Sequence, residues 1–171
     1  RRVLFRSTTQ LACYAPALAA GSVVVEVSSN GGADWSSDGV AYEYRALPTL
    51  HSLVPAFGPV AGGTVVTVLG AGFSASAALA CRFGALQSVP AALVNATLLT
   101  CVAPAQSVTG TLAVTVTENG VDATSPGLPF AFEAAAAIAQ LSPAWGPLAG
   151  FAVNITGSGF HPGPKIGRAH V

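Results

Sequence analysis

The sequence predicts an all-β protein made of β-sandwich modules in tandem, one complete and two partial. Three observations predict it. Apolar and polar residues alternate with period two in short runs such as Thr64–Leu69 and Leu112–Thr117. Turn formers punctuate those runs every 8 to 12 residues. The pattern also recurs along the chain at a nearly constant offset.

The offset comes from five anchors. Cys13-Tyr-Ala-Pro16 matches Cys101-Val-Ala-Pro104 at 88 residues, and Asn30-Gly31 matches Asn119-Gly120 at 89. Tyr42/Tyr44 matches Phe130/Phe132 at 88, Pro55 matches Pro143 at 88, and Phe73 matches Phe160 at 87. A unit of this length is too long for a solenoid turn and suits a small sandwich. The division expected is the C-terminal half of one repeat (8–46), a complete repeat (47–133) and the start of another (134–165). Residues 1–7 and 166–171 fall outside it. Arg2–Ser7 and Ile166–His170 can be encoded by opposite strands of one short DNA, as a sequencing adapter carried into a translated read would be. Both ends are therefore expected to be adapter-derived and are set aside.

That exclusion alters the charge. The full chain is neutral, with seven basic and seven acidic residues. Between 8 and 164 only Arg45 and Arg82 face seven acids, which leaves −5. Polyanion binding needs clustered Lys and Arg, so no nucleic-acid partner is expected. Half the residues, 51%, are apolar, which is the mark of a packed β protein rather than a disordered chain. No apolar run approaches the roughly 18 residues of a membrane span, and Ala134–Ala139 is too short. Membrane association is expected only through regions outside this chain.

In the complete repeat, Pro55–Pro59 reads as a rigid turn leading in from the preceding module. Thr64–Leu69 is a strand with Val66 and Val68 inward and Val65, Thr67 and Leu69 outward. In the next copy, Phe151, Val153 and Ile155 form the same inward face and Asn154 takes the outward place of Thr67. Leu112–Thr117 puts Leu112, Val114 and Val116 in and Thr115 and Thr117 out. Its earlier counterpart puts Val23, Val25 and Val27 in. The Asn-Gly pairs that follow are a tight hairpin signal. The last strands carry alternating aromatics, and shorter strands are expected at Leu79–Phe83 and Leu98–Val102. About seven short strands in under 90 residues is the pattern of an immunoglobulin-like sandwich.

These residues resemble the IPT/TIG family. The resemblance rests on Pro55/Gly58/Pro59/Gly62/Gly63/Thr64, Gly70/Gly72/Phe73, Cys81/Phe83/Gly84, Cys101/Pro104 and Asn119/Gly120. It covers 47–133 and both partial neighbours. The last copy departs from it: one residue is lost, and Gly63-Thr64 becomes Phe151-Ala152. The resemblance implies an immunoglobulin-like fold. It implies tandem use mostly in cell-surface ectodomains, as in plexin-like, Met-like and fibrocystin-like receptors. Single copies also occur in Rel-type transcription factors and beside carbohydrate-active domains.

With that context, Cys81 and Cys101 read as a disulfide between neighbouring strands; the alternative is two buried thiols of a cytosolic domain. Cys13 aligns with Cys101, so its partner is expected upstream of the first residue. Asn95-Ala-Thr97 and Asn154-Ile-Thr156 are glycosylation sequons. Asp34-Trp-Ser-Ser-Asp38-Gly39 reads as a solvated hairpin extension rather than a calcium loop. Trp35 is expected to cap that hairpin, and Trp145, replacing Phe57, to pack. His51 is expected in an inter-repeat linker, with His161 near the end of the chain.

No catalytic set, cofactor motif or metal-ligand spacing is found, so no enzyme is expected. Gly70-Ala-Gly72 lacks the helix and Lys of a phosphate loop. The expected function is a non-catalytic extracellular binding or spacer module of a larger cell-surface or secreted protein, with a protein or glycan ligand. The alternatives are an accessory domain of a carbohydrate-active enzyme or a Rel-type DNA-binding or dimerisation domain. Variable loops such as Ala33–Gly39 are the expected binding surface.

Overall fold

The computed structural model describes residues 3–85 and 87–160, with side chains from residue 6 onward. The expected adapter-derived segment 166–171, together with His161 and His170, lies outside the described residues. Every regular element described is a strand. The chain divides into two compact units, Arg1–Ala46 and Leu47–Val171.

The first unit holds two antiparallel pairs. β1 (Val3–Ser7) pairs with β2 (Gln10–Cys13), and β3 (Gly21–Val24) with β4 (Ala41–Tyr44). Val3–Ser7, within the segment expected to be adapter-derived, is one strand of this hairpin. Val23 is half-buried, but Val25 and Val27 are exposed, contrary to the inward placement expected. Two-stranded sheets with no facing sheet in the unit leave that face uncovered.

The second unit contains eight strands in sequence: β5 (Thr49–Val54), β6 (Phe57–Pro59), β7 (Val65–Ala71), β8 (Ala80–Phe83), β9 (Gln87–Asn95), β10 (Leu98–Val102), β11 (Gly110–Thr117) and β12 (Leu128–Glu133). They join edge to edge in the order β5-β7-β10-β9-β8-β11-β12-β6. β9 belongs to two sheets. Gln87–Pro90 pairs with β8, and the chain from Ala91 pairs with β10. Pro90 stands at the crossing, where its missing N–H costs least. At the other flank, the Pro55 turn carries the chain from β5 to β6, which runs parallel to β12. Pro55–Pro59 is therefore a crossing between the two sheets of one sandwich, not a turn in from the preceding module. His51 lies in β5 at a bulge, not in a linker. β9 and β5 were not anticipated as strands.

The core sits between the two sheets. Leu53, Val66, Val68, Leu99 and Cys101 come from one, and Cys81, Phe83, Val114, Val116, Phe130 and Phe132 from the other. Register accounts for this set, because antiparallel partners share a face. Leu53, Val68, Leu99 and Leu93 form one cross-strand row; Cys101 lies opposite Val66 and Cys81 opposite Val116. Three phenyl rings pack edge to face, with Phe83–Phe130 centroids 5.5 Å apart and Phe130–Phe132 5.0 Å apart. The inward faces expected for β7 and β11 are the faces found.

Cys81 and Cys101 form a disulfide with Cα atoms 6.4 Å apart. The strands it joins are not neighbours, as had been expected. β8 and β10 both flank β9, with Cys81 opposite Val89 and Cys101 opposite Ala91. The bond therefore links the two sheets across the corner at Pro90.

Thr117 is buried, against the outward placement expected. The β11–β12 connection is not a tight two-residue hairpin. It runs from 118 to 127 and folds back, with Thr124 N–H donating to the Val116 carbonyl at 2.9 Å and Val116 N–H donating to Thr124 Oγ1 at 3.0 Å. Thr117 Oγ1 lies 3.5 Å from Asn119 Oδ1 inside that fold.

β13 (Ala137–Ser142) and β14 (Asn154–Ser158) follow as an antiparallel pair. Their register reproduces that of β5 and β7. Leu53 opposes Val68 and Val54 opposes Thr67; Leu141 opposes Ile155 and Ser142 opposes Asn154. The irregularity between Leu50 and Ser52 returns between Ile138 and Gln140. A methyl group on Gly70 would run into the Thr49 carbonyl and the Phe73 ring; on Gly157 it would meet the Ala137 carbonyl and the Phe160 ring. The Gly-x-Gly-Phe signature is thus a phenyl ring seated against a bare backbone. The altered turn is accommodated differently: Thr64 fills the space over Gly58, whereas the Phe151 ring fills it over Gly146. Phe151, Val153 and Ile155 are all exposed, because no second sheet covers this hairpin among the described residues. Trp145, expected to pack, is 85% exposed for the same reason.

Replacing Phe130 with Ala should lower stability by about 3–5 kcal/mol, read from the urea midpoint of the full chain. Replacing both Cys81 and Cys101 with Ser should cost about 3 kcal/mol, the loop-closure value for their separation of 20 residues, in the same assay.

Candidate binding surface

Three connections meet at the end of the sandwich where the chain enters β5. They are the β7–β8 loop, the β9–β10 turn and the β11–β12 loop. Backbone bonds join the first two: Gly70 N–H donates to the Thr97 carbonyl and Phe73 N–H to the Ala96 carbonyl, both at 3.0 Å. A carboxylate joins the first and third. Glu118 Oε1 accepts from Ser74 N–H at 2.7 Å, and Oε2 accepts from Ser74 Oγ at 3.0 Å. Ser76 Oγ also donates to the Glu118 carbonyl.

The β11–β12 loop has its own frame. Asn119 Oδ1 accepts from the backbone N–H of Val121 at 2.9 Å and of Asp122 at 2.8 Å, while Nδ2 donates to Asp122 Oδ2 at 2.8 Å. This local side-chain bonding is what Asn does well in turns. Arg82, on the outward side of β8, donates to the Gly120 carbonyl at 2.6 Å and the Val121 carbonyl at 3.2 Å. Its guanidinium is thus engaged in fastening the loop. The surface presented mixes exposed polar residues such as Ser76, Asn119 and Asp122 with exposed Ala75, Ala77 and Val121, and is held by these bonds.

At the opposite end lies an open groove of about 410 Å³, lined by Pro55, Phe57, Pro59, Thr64, Glu133 and the 134–136 segment. One carboxylate in an apolar lining is not an acid–base pair. Among the described residues no three His, Cys, Asp or Glu side chains converge as metal ligands.

The IPT/TIG domain profile fits residues 48–132, the span of this sandwich. Those residues are an IPT/TIG domain. No curated protein matches the chain. Among solved structures, the full extracellular region of plexin A4, domains 1 to 10, is 23% identical with a TM-score of 0.56. The likeness covers 85% of this chain and 12% of that one. A second plexin A4 structure, with domains 1 to 8, is 24% identical with a TM-score of 0.47, covering 69% of this chain and 12% of the other. The chain thus spans about an eighth of the plexin A4 extracellular region it matches.

Within the IPT/TIG domain, Asn95 lies exposed at the end of β9, where the β9–β10 turn begins. Its Oδ1 accepts from both N–H and Oγ1 of Thr97 at 2.8 Å. Asn154 lies on the β13–β14 hairpin beyond the domain, opposite Ser142. The structure does not bring the two sequons together.

The first unit builds its 28–39 loop on the plan of the domain's 118–127 loop. Asn30 Oδ1 accepts from Asp34 N–H at 3.0 Å and Nδ2 donates to Asp34 Oδ2 at 2.6 Å. Val27 and Ser36 bond to each other as Val116 and Thr124 do, at 3.0 and 2.9 Å. This Asn–Asp frame was missed in the sequence. The signal was present, since Asn30 and Asp34 sit at the repeat offset from Asn119 and Asp122. Trp35 caps its own loop as expected, with its indole N–H donating to the Gly32 carbonyl at 3.1 Å, though more than half of it is exposed. Asp34 is therefore a turn residue. Nearby, a hydrogen bond and ion pair with Arg45 at 2.6 Å hold the Glu43 carboxyl below the usual carboxylate range.

Replacing Glu118 with Ala should free the β7–β8 loop. The Ser74 amide should exchange with deuterium markedly faster than in the parent chain, with a global loss of about 1–2 kcal/mol.

Proposed function

We propose that the chain is a non-catalytic segment of a larger cell-surface or secreted protein, in which tandem IPT/TIG-type repeats act as binding or spacer modules. The observation that carries this is the Cys81–Cys101 disulfide inside the IPT/TIG domain, because such bonds persist in oxidising compartments. The likeness of fold to an extracellular region supports it and extends past one module, covering 85% of the chain.

The tandem division into 8–46, 47–133 and 134–165 is part of the proposal. Its support is the repeated register. β13 and β14 pair as β5 and β7 do, and Gly21 opposes Tyr44 as Gly110 opposes Phe132. Each partial copy supplies strands whose apolar face needs the rest of its own sandwich. The mechanism is presentation: a rigid sandwich holds its loop end for a protein or glycan partner. A Rel-type role in DNA binding is less well supported, because Arg82 is tied to loop carbonyls and Arg45 to Glu43. Fold alone does not choose the ligand.

The chain, secreted from a eukaryotic cell and treated with a thiol-alkylating reagent without reduction, should label at Cys13 and not at Cys81 or Cys101. Labelling of both domain cysteines in the folded secreted chain would sink the extracellular reading.

A further inference from the structure

The two sheets of the IPT/TIG domain differ chemically on their outer faces. β5, β7, β10 and the 91–95 part of β9 contain no Asp, Glu, Lys or Arg. Their outward rows are Asn95–Leu98–Leu69 and Thr100–Thr67–Val54. The four charged residues between 47 and 133 are Arg82, Glu118, Asp122 and Glu133. All lie on β8, on β12 or in the β11–β12 loop, which belong to the other sheet.

Both sequons map onto the uncharged side. Asn95 shares an outer row with Leu98 at the rim of that face. Asn154 opposes Ser142 as Thr67 opposes Val54, so it takes the outward position of Thr67 in the next hairpin. Solvent is open above each, as both residues are exposed.

The carboxamide of Asn95 is also arranged for substitution. Oδ1 carries both bonds from Thr97, and Nδ2 makes none among the described residues. A group added to Nδ2 leaves the oxygen, and hence the turn, as it is. We propose that the outer face of the β5–β7–β10 sheet is the glycan-bearing face of these modules, with N-linked oligosaccharide on Asn95 and on Asn154. This deepens the extracellular reading and rests on it. In the transfer, Asn Nδ2 forms a bond to the sugar C1 of a lipid-linked oligosaccharide diphosphate. The C1–O bond to the diphosphate breaks, and a proton leaves the nitrogen. The oligosaccharide covers a sheet face that carries no Asp, Glu, Lys or Arg, and the charged sheet and loop end stay open.

The test is secretion of the full chain from a eukaryotic cell, then enzymatic release of N-glycans in heavy-oxygen water and peptide mass spectrometry. Asn95 and Asn154 should each return as isotope-labelled aspartate. Thr97→Ala should abolish the first label alone, Thr97→Ser should retain it, and Thr156→Ala should abolish the second alone. An unlabelled Asn95, or a label on only one of the two asparagines, overturns the proposal. With Cys81 and Cys101 still resistant to alkylation, that result leaves the extracellular reading standing; reactive Cys81 and Cys101 overturn both.

Discussion

Two sheets that share a core must be kept from sliding or parting, and in this domain the corner at Pro90 does that. One strand, β9, turns from the first sheet into the second. On either side of it stand Cys81 and Cys101, whose covalent bond closes the same corner from within. The remainder of the core follows from that alignment. Val66 and Cys101 lie in one row and Cys81 and Val116 in another, so the apolar faces meet in register. The phenyl rings of Phe83, Phe130 and Phe132 then pack edge to face in the same core. Loss of the alignment would expose both faces at once, which is why the burial of single residues here is a cooperative property.

The loop end depends on the same frame at one remove. Glu118 follows directly on β11 and Arg82 lies on β8, strands that pair with each other. Their side chains can reach Ser74 and the Gly120–Val121 carbonyls because the strands place them within a few ångströms of those groups. A carboxylate accepting two hydrogen bonds and a guanidinium donating two are stronger ties than neutral pairs. In the β7–β8 loop this polar bonding adds to the apolar anchors Phe73 and Leu79, which are buried in the core.

Much of the fold was legible in the sequence, for a physical reason. Period-two alternation reports directly which side of a strand is dry, so Val66/Val68 and Val114/Val116 were readable as core. The Gly-x-Gly-Phe signature was readable as a turn, although its cause, a ring against bare backbone, needed coordinates. β9 was not legible. Its Pro90 argues against a strand, and its inward row, Val89, Ala91 and Leu93, is only half-buried. Thr117 was misplaced because alternation ignores a loop that folds back. Trp145 and Val25 were misplaced for another reason: alternation shows which face seeks a partner, not whether the partner is present. The loop end was the least legible part. Its bonds run between residues some forty positions apart, such as Ser74 and Glu118, and no local pattern carries that information.

The crossing strand also bears on how such modules behave when many share one chain. A sheet edge is a row of unmatched N–H and C=O groups, and identical neighbours held at high local concentration are the partners best suited to zip onto it. β9 would have been a nine-residue edge. By passing between sheets at Pro90 it becomes two short stretches aimed along different sheets, with a break where a donor is missing. The other edge of that sheet, the six-residue β5, is interrupted in turn by the irregularity between Leu50 and Ser52, so neither edge is a long straight template for a neighbour in the string.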